Sequence, residues 1–399
     1  SNTEGSKNIA VGQNSLGTIT TGNNNVAVGH IALEDLTTAS NNTAIGAFSS
    51  RNITTGASNV SVGYDSLSTN TTGASNVAMG FESLKANTTG NCNVAIGINA
   101  LDLNTTGTDN VAIGRDAAGC QTTASNNVAI GAATLFKNTG ANNTAVGYLA
   151  SMCNTTGADN SAVGRQALKS NTTAAQNVAI GTCALFTNTT GANNTSVGNY
   201  SSKLQTTGAC NVTMGYSAGC KITTGIRNTL MGIHAGCNIT TGGGNVFVGN
   251  AGQAAAVDNN DSIVIGSGTG KGTQTAFINP DGGAVFAGNN ATAFSQTSDK
   301  RIKKNIVDNT TGLDKINQIQ VRNFEYKTPE EITEVPSHAA INKQGIQLGA
   351  IAQEIELILP DVVKEESTGV KTVDPSNLTW YMINAIKELK AEIDELKKK

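Results

Sequence analysis

A string of the form Asn-Val-Ala-Ile-Gly returns along most of this chain at a fixed interval, and that periodicity constrains the fold more than any other feature. Its glycine falls at Gly12, Gly29, Gly46, Gly63, Gly80, Gly97, Gly114, Gly131, Gly147, Gly164, Gly181, Gly198, Gly215, Gly232, Gly249 and Gly266, sixteen turns spaced by 17 residues with a single interval of 16. The fullest form runs from Asn93 to Gly107. Val94 and Ile96 alternate with smaller neighbours, the period-two pattern of a short strand, and these large residues are expected to supply the core. Gly97 closes the strand where a tight bend is needed. Ala100 and Leu101 read as one helical turn that drops its leucine inward. Asn-Thr-Thr-Gly then supplies turn chemistry. A unit this short cannot bury a core alone, so successive units must stack. With strands about 4.8 Å apart, sixteen turns make a rod of roughly 75 Å.

The expected class is therefore mainly β: a parallel β-solenoid over 1–270, a β cap and connector over 271–297, and an α+β unit over 298–399. The core position is read as Val, Ile, Met or Leu, so each turn buries only a few methyl groups. Several chains are expected to pack their apolar strands together, three around one axis being the simplest case. The repeats resemble the heads of bacterial trimeric adhesins and, more closely, the fibre repeats of phage tail proteins. Adhesin heads use shorter repeats, so the resemblance carries the architecture and not the detailed turn.

Composition divides the chain at the same place. Residues 298–399 hold 32 of the 55 charged residues, while 41 of 45 glycines precede Ser298 and all five prolines lie at Pro280 or later. Proline would remove a ladder donor from every layer, which accounts for its absence from the repeats. Phe277 to Phe286 reads as two strands around Asn279-Pro280-Asp281-Gly282-Gly283, a cap over strand edges that would otherwise be unpaired. The net charge of −3 argues against a nucleic-acid partner. No apolar run is long enough to cross a membrane, and no secretory signal opens the chain. It begins at Ser1 rather than Met, which reads as a piece of a longer protein with an attachment region upstream.

The cysteines and histidines carry no expected metal or cofactor. Seven cysteines, Cys92, Cys120, Cys153, Cys183, Cys210, Cys220 and Cys237, show no Cys-x-x-Cys. Cys220 and Cys237 share a register in adjacent turns, within disulfide reach, but the favoured reading is small buried hydrophobes in a reducing cytoplasm. His234 with Cys220 and Cys237 lacks a recognised zinc spacing. The Asn-x-Thr triplets read as turn ladders before glycosylation acceptors.

Ser298-Asp299-Lys300-Arg301-Ile302-Lys303-Lys304-Asn305-Ile306 meets the pattern S-D-x-R-x-K-x-x-I. It is followed by a strand-forming stretch from Leu313 to Tyr326, Gly349-Ala350-Ile351-Ala352-Gln353-Glu354 with Pro360, Val373-Asp374, and a closing helix from Leu378 to Leu396. These motifs, in this order, resemble the intramolecular chaperone auto-processing domain of endosialidase-type phage tailspikes, a self-cleaving peptidase. The resemblance implies a cut between Thr297 and Ser298 by a Ser298–Lys303 dyad. A serine hydroxyl needs a base, and no histidine lies nearby. Lys303 can serve as that base if burial or neighbouring cations such as Arg301 and Lys304 keep an amine neutral. Asp299 and Arg301 are read as orienting residues.

In the last helix Met382, Ile386, Leu389, Ile393 and Leu396 alternate by four and three, a heptad seam. Ile at a with Leu at d leans to a dimer, whereas the family resemblance implies a trimer. Trp380 and Tyr381 are read as packing residues. The expected protein is a homotrimeric tail-fibre shaft, assembled in the host cytoplasm and carried on the virion. Its expected partners are itself, other virion tail proteins and a host surface receptor, glycan included. A bacterial surface adhesin, or a filament with a non-cutting chaperone, is the alternative. A polysaccharide-degrading spike is disfavoured, since residues 1–297 hold just 12 acidic residues.

Overall fold

The computed structural model describes residues 4–279, 285–287, 300–328, 330–334, 343–365 and 369–398. The chain forms two compact units, Ser1–Thr297 and Ser298–Lys399.

The repeats wind into a parallel β-solenoid. Three-residue strands run from β1 (Ile9–Val11) through β6 (Val94–Ile96) and β7 (Val111–Ile113) to β15 (Val246–Val248). Each stacks on the next in like-over-like register, as in Val94 on Val111, Ala95 on Ala112 and Ile96 on Ile113. Strand β16 (Ile263–Gly266) continues the ladder, and β17 (Ala276–Asn279) adds a further parallel turn beyond the sixteen legible as repeats. The hairpin expected over Phe277–Phe286 is present: β17 pairs antiparallel with β18 (Val285–Ala287), Phe277 opposite Phe286.

The strands face the other way from the sequence reading. Ala27, Ala44, Ala78, Ala95 and Ala112 point inward and are fully buried, while Val94 and Ile96 beside Ala95 lie on the outer face. Each coil is so narrow that the leucine entering from the opposite wall, such as Leu101, fills the interior and leaves room for only a methyl group on the strand. The expected helical turn is absent as well. Asn99 and Leu101 adopt φ of 54° and 51°. Their N–H groups leave the turn to bond Phe81 and Ala117 of the adjacent coils at 3.0 Å each. A leucine in left-handed backbone costs about 1–2 kcal/mol, offset by about 1.5–3 kcal/mol from burying its side chain. Gly97 has φ of 132°, and a Cβ there would stand 2.6 Å from the carbonyl oxygen of Gly114, so only glycine closes the strand.

Two columns of buried amides stitch the coils together. Asn93 donates from its backbone N–H and from Nδ2 to Oδ1 of Asn76 (3.0 and 3.2 Å), and Nδ2 also reaches the Gly107 carbonyl at 2.8 Å. The second column runs through the Asn-Thr-Thr-Gly turns, where Asn87 Nδ2 donates to Asn70 Oδ1 at 2.8 Å and Asn104 Nδ2 to Asn87 Oδ1 at 3.0 Å. Such a chain satisfies most buried amides through a neighbouring coil, so a coil is stable only in the stack. Asn70, Asn87, Asn104, Asn154, Asn171 and Asn188 are therefore wholly buried ladder residues, closed to glycosylation in the folded shaft.

The interior changes along the shaft. A core of Ala and Leu extends from Leu16 to Leu185, and a second core of larger residues from Ile222 to Phe277. Between them lies a buried hydroxyl cluster, in which Ser201 bonds Ser196 and Thr213 at 2.7 Å each. Beyond it the packing inverts: Leu230 and Phe247 occupy the strand position, and Gly219 and Gly236 replace the loop leucine. Cys220 and Cys237 form a disulfide across two coils of this region, which corrects the reduced-thiol reading for that pair. Of the free cysteines Cys183 is buried, but Cys92 and Cys210 are exposed.

The second unit is α+β. It comprises α1 (Leu313–Ile316), β19 (Arg322–Phe324) paired antiparallel with β20 (Gln347–Gly349), α2 (Ala352–Glu356), β21 (Val363–Glu365) paired with β22 (Lys371–Val373), and the long α3 (Pro375–Leu396). Among the described residues its buried core is small: Ile355, Leu359 and Val362, ringed by half-buried residues that include Ile319, Val373, Leu378 and Tyr381.

Candidate functional site in the C-terminal unit

Thr297, Ser298 and Asp299 lie outside the described residues. The described segment begins with a 3-10 turn at Lys300–Ile302, closed by the Lys303 N–H donating to the Lys300 carbonyl at 3.2 Å. Arg301, Lys303 and Lys304 are exposed on this segment, so burial within this chain does not set the environment of Lys303.

Downstream, the backbone is tied to α3. Asn384 Nδ2 donates to the carbonyls of Asn309 and Thr311 at 2.8 and 3.1 Å. The Leu313 N–H donates to Glu388 Oε2 at 2.6 Å, so a carboxylate on α3 caps the first donor of α1. Gly312 lies so close that a Cβ would stand 2.6 Å from the Ala385 nitrogen. Sequence reasoning missed Asn384, Glu388 and Gly312, because residues more than 70 positions apart carry no local signature of contact.

Helix α3 ends at Leu396 as the sequence places it but starts at Pro375, three residues before the expected Leu378. Asp374 is its N-cap, accepting from the N–H groups of Ser376 (2.9 Å) and Asn377 (3.3 Å), with Pro375 in the first turn. Partial desolvation pushes the Asp374 carboxyl up, but those N–H groups and Lys364 outweigh it and hold the carboxyl below its ordinary value. Tyr381 donates to Asp361 Oδ2 at 2.5 Å, and this bond raises the phenol above its usual range. Tyr381 thus packs as expected. Trp380 does not: it is mostly exposed, at the rim of a cleft of about 460 Å³ lined also by Asp308, Asp361 and Lys387. The Glu354 of the Gly349–Glu354 motif pairs with Arg322 through two hydrogen bonds of 3.2 and 3.0 Å, joining α2 to β19.

The seam residues all lie on α3 and all face solvent, Ile386 and Leu396 being 65% and 68% exposed. Leu348 and Leu357 elsewhere in the unit are 76% and 88% exposed. Among the described residues of this unit, several large aliphatic side chains are therefore bare on the surface.

This α+β unit and the solenoid before it define a shaft followed by a chaperone-type domain. Residues 298–364 match the family model Peptidase_S74, described as chaperone of endosialidase. No curated protein matches the chain. The match covers the segment from Ser298 through the 3-10 turn, α1, the β19–β20 pair and α2.

Proposed function

We propose that this chain is the shaft of a homotrimeric phage tail fibre or tailspike, whose C-terminal unit drives assembly and is then released by its own cleavage before Ser298. The observation that carries this reading is that the family match opens on Ser298 itself, at the boundary between the two compact units. The Ser298 hydroxyl attacks the Thr297 carbonyl carbon as Lys303 takes its proton. The peptide C–N bond breaks, an ester C–O bond forms, and the freed Ser298 amine receives the proton. Water then hydrolyses the ester. Asp299 and Arg301 orient the segment.

Self-association is supported by the outer face of the strands. Ile45, Met79, Ile113, Ile130, Val163 and Ile180 belong to an apolar column on the outer face that is exposed on most coils and half-buried on the others. A neighbouring copy has the same coil spacing and can match it along its whole length. A C-terminal clamp is useful because a shift by one coil preserves most contacts, and the clamp sets register before the shaft zips. Release of the clamp makes the assembled shaft kinetically hard to unfold. Other virion tail proteins and a host surface receptor, glycan included, are its partners in this reading.

Denaturing gels and intact mass of the unmodified chain and of Ser298→Ala test the cleavage. Two fragments divided before Ser298, absent from the variant, are expected; a single full-length species in both sinks it.

A further inference from the structure

Between α1 and α3 lies an apolar slot of about 200 Å³, lined by Leu313, Ile316, Met382, Ala385, Ile386 and Leu389. Three of these residues, Met382, Ile386 and Leu389, are also seam positions of α3, and they are 47%, 65% and 46% exposed. The slot is therefore not a gap in the unit's own core, which is built on Ile355, Leu359 and Val362. Its second wall is α1, a helix of four residues held in place by the Glu388 cap, the Asn384 bonds and the close approach of Gly312 to Ala385.

We infer that this slot is the seat for a second copy of the chain: α1 and α3 together form a two-walled socket that receives seam side chains from the neighbouring α3. This rests on the self-association proposed above, and it adds Leu313 and Ile316 to an interface that the heptad alone confines to α3. The charge pattern favours a parallel copy as the occupant. With Ile386 and Ile393 at a and Met382, Leu389 and Leu396 at d, Glu392 falls at g and Lys397 at e. In parallel helices in register, a g residue meets the e residue five positions on in its neighbour, so Glu392 faces Lys397 of the next copy. The earlier g position is Ala385, whose small side chain lets α1 approach the seam. The socket explains why so short a helix is pinned by three separate devices: it lengthens the apolar wall where two heptads alone offer little.

The test uses the full chain carrying Ser298→Ala so that it stays whole, with mass read by sedimentation equilibrium. Ile316→Glu lies outside the heptad, yet it is expected to lower the mass from several chains to one, as Ile386→Glu does, while Ile316→Leu keeps the parent mass. Hydrogen exchange gives a readout independent of substitution within α1: the amides of 313–316 should exchange at least tenfold faster in the Ile386→Glu monomer than in the parent assembly. Parent mass in Ile316→Glu with dissociation of Ile386→Glu, or unchanged exchange, overturns the socket and leaves self-association standing; the slot would then belong to this chain's own segments or another protein. A parent chain that sediments as a monomer overturns both.

Discussion

Asn104 and Gln121 occupy the same place on consecutive coils, yet the Oδ1 of Asn104 accepts no hydrogen bond. Every other asparagine step of this column described here passes an amide hydrogen to the coil before it. The extra methylene of Gln121 carries its Nε2 instead to the Ala124 carbonyl at 3.0 Å. The fault recurs at Gln205, whose Nε2 bonds Gly208 at 2.8 Å and leaves Asn188 Oδ1 without a partner.

Gln121→Asn and Gln205→Asn should therefore stabilise the shaft, each by about 1 kcal/mol, since a buried acceptor gains its missing bond. Thermal or denaturant unfolding followed by far-ultraviolet circular dichroism reads the change. A lower midpoint in both variants would mean that glutamine fills space that asparagine leaves empty.

The inverted packing near the second core predicts a coupled pair. Gly236 has φ of 60°, and a Cβ there would stand 2.7 Å from a methyl carbon of Leu230. Gly236→Ala should cost about 1–3 kcal/mol through overpacking. Adding Leu230→Ala should relieve part of that cost, so the double variant loses less than the sum of the singles. Simple additivity would show that the penalty comes from the backbone alone.

The disulfide closes a loop between residues 17 positions apart. Chain-entropy reasoning assigns a cross-link of this span about 3 kcal/mol. Cys220→Ser, or reduction of the unmodified chain, should lower the unfolding midpoint, and reductant should have no further effect on the variant. Equal midpoints with and without reductant would remove the bond from the stability of the shaft.

Asp374 predicts a pH dependence in the C-terminal unit. Its carboxyl is held below the ordinary value, so the stability it contributes is present above the unfolded-state value of about 3.9 and is lost as pH falls through its lower folded value. Asp374→Ala should cost about 1 kcal/mol at neutral pH through loss of the N-cap. That difference should shrink towards zero in acid, as read from urea unfolding of α3 at pH 7 and near pH 3. A constant difference would mean that the cap acts without its charge.

The sequence by itself determined the solenoid, its 17-residue step, the glycine at each strand end, the closing hairpin and the boundary near Ser298. Each is a local or strictly periodic property, repeated until it is unambiguous. It also carried the seam of α3 and the motif by which residues 298–364 match a chaperone family. Only the tertiary structure decided which side of the strand faces inward. Alternation in Val94-Ala95-Ile96 is equally satisfied either way, and the choice of Ala95 depends on the space that Leu101 takes from across the coil. The left-handed residues at Asn99 and Leu101 were illegible for the same reason, because their hydrogen bonds go to neighbouring coils and not to their own turn. The socket wall of α1 rests on Glu388, Asn384 and Ala385, far along the chain. Periodicity records what each coil must repeat, whereas volume and long-range hydrogen bonding exist only once coils and helices have met.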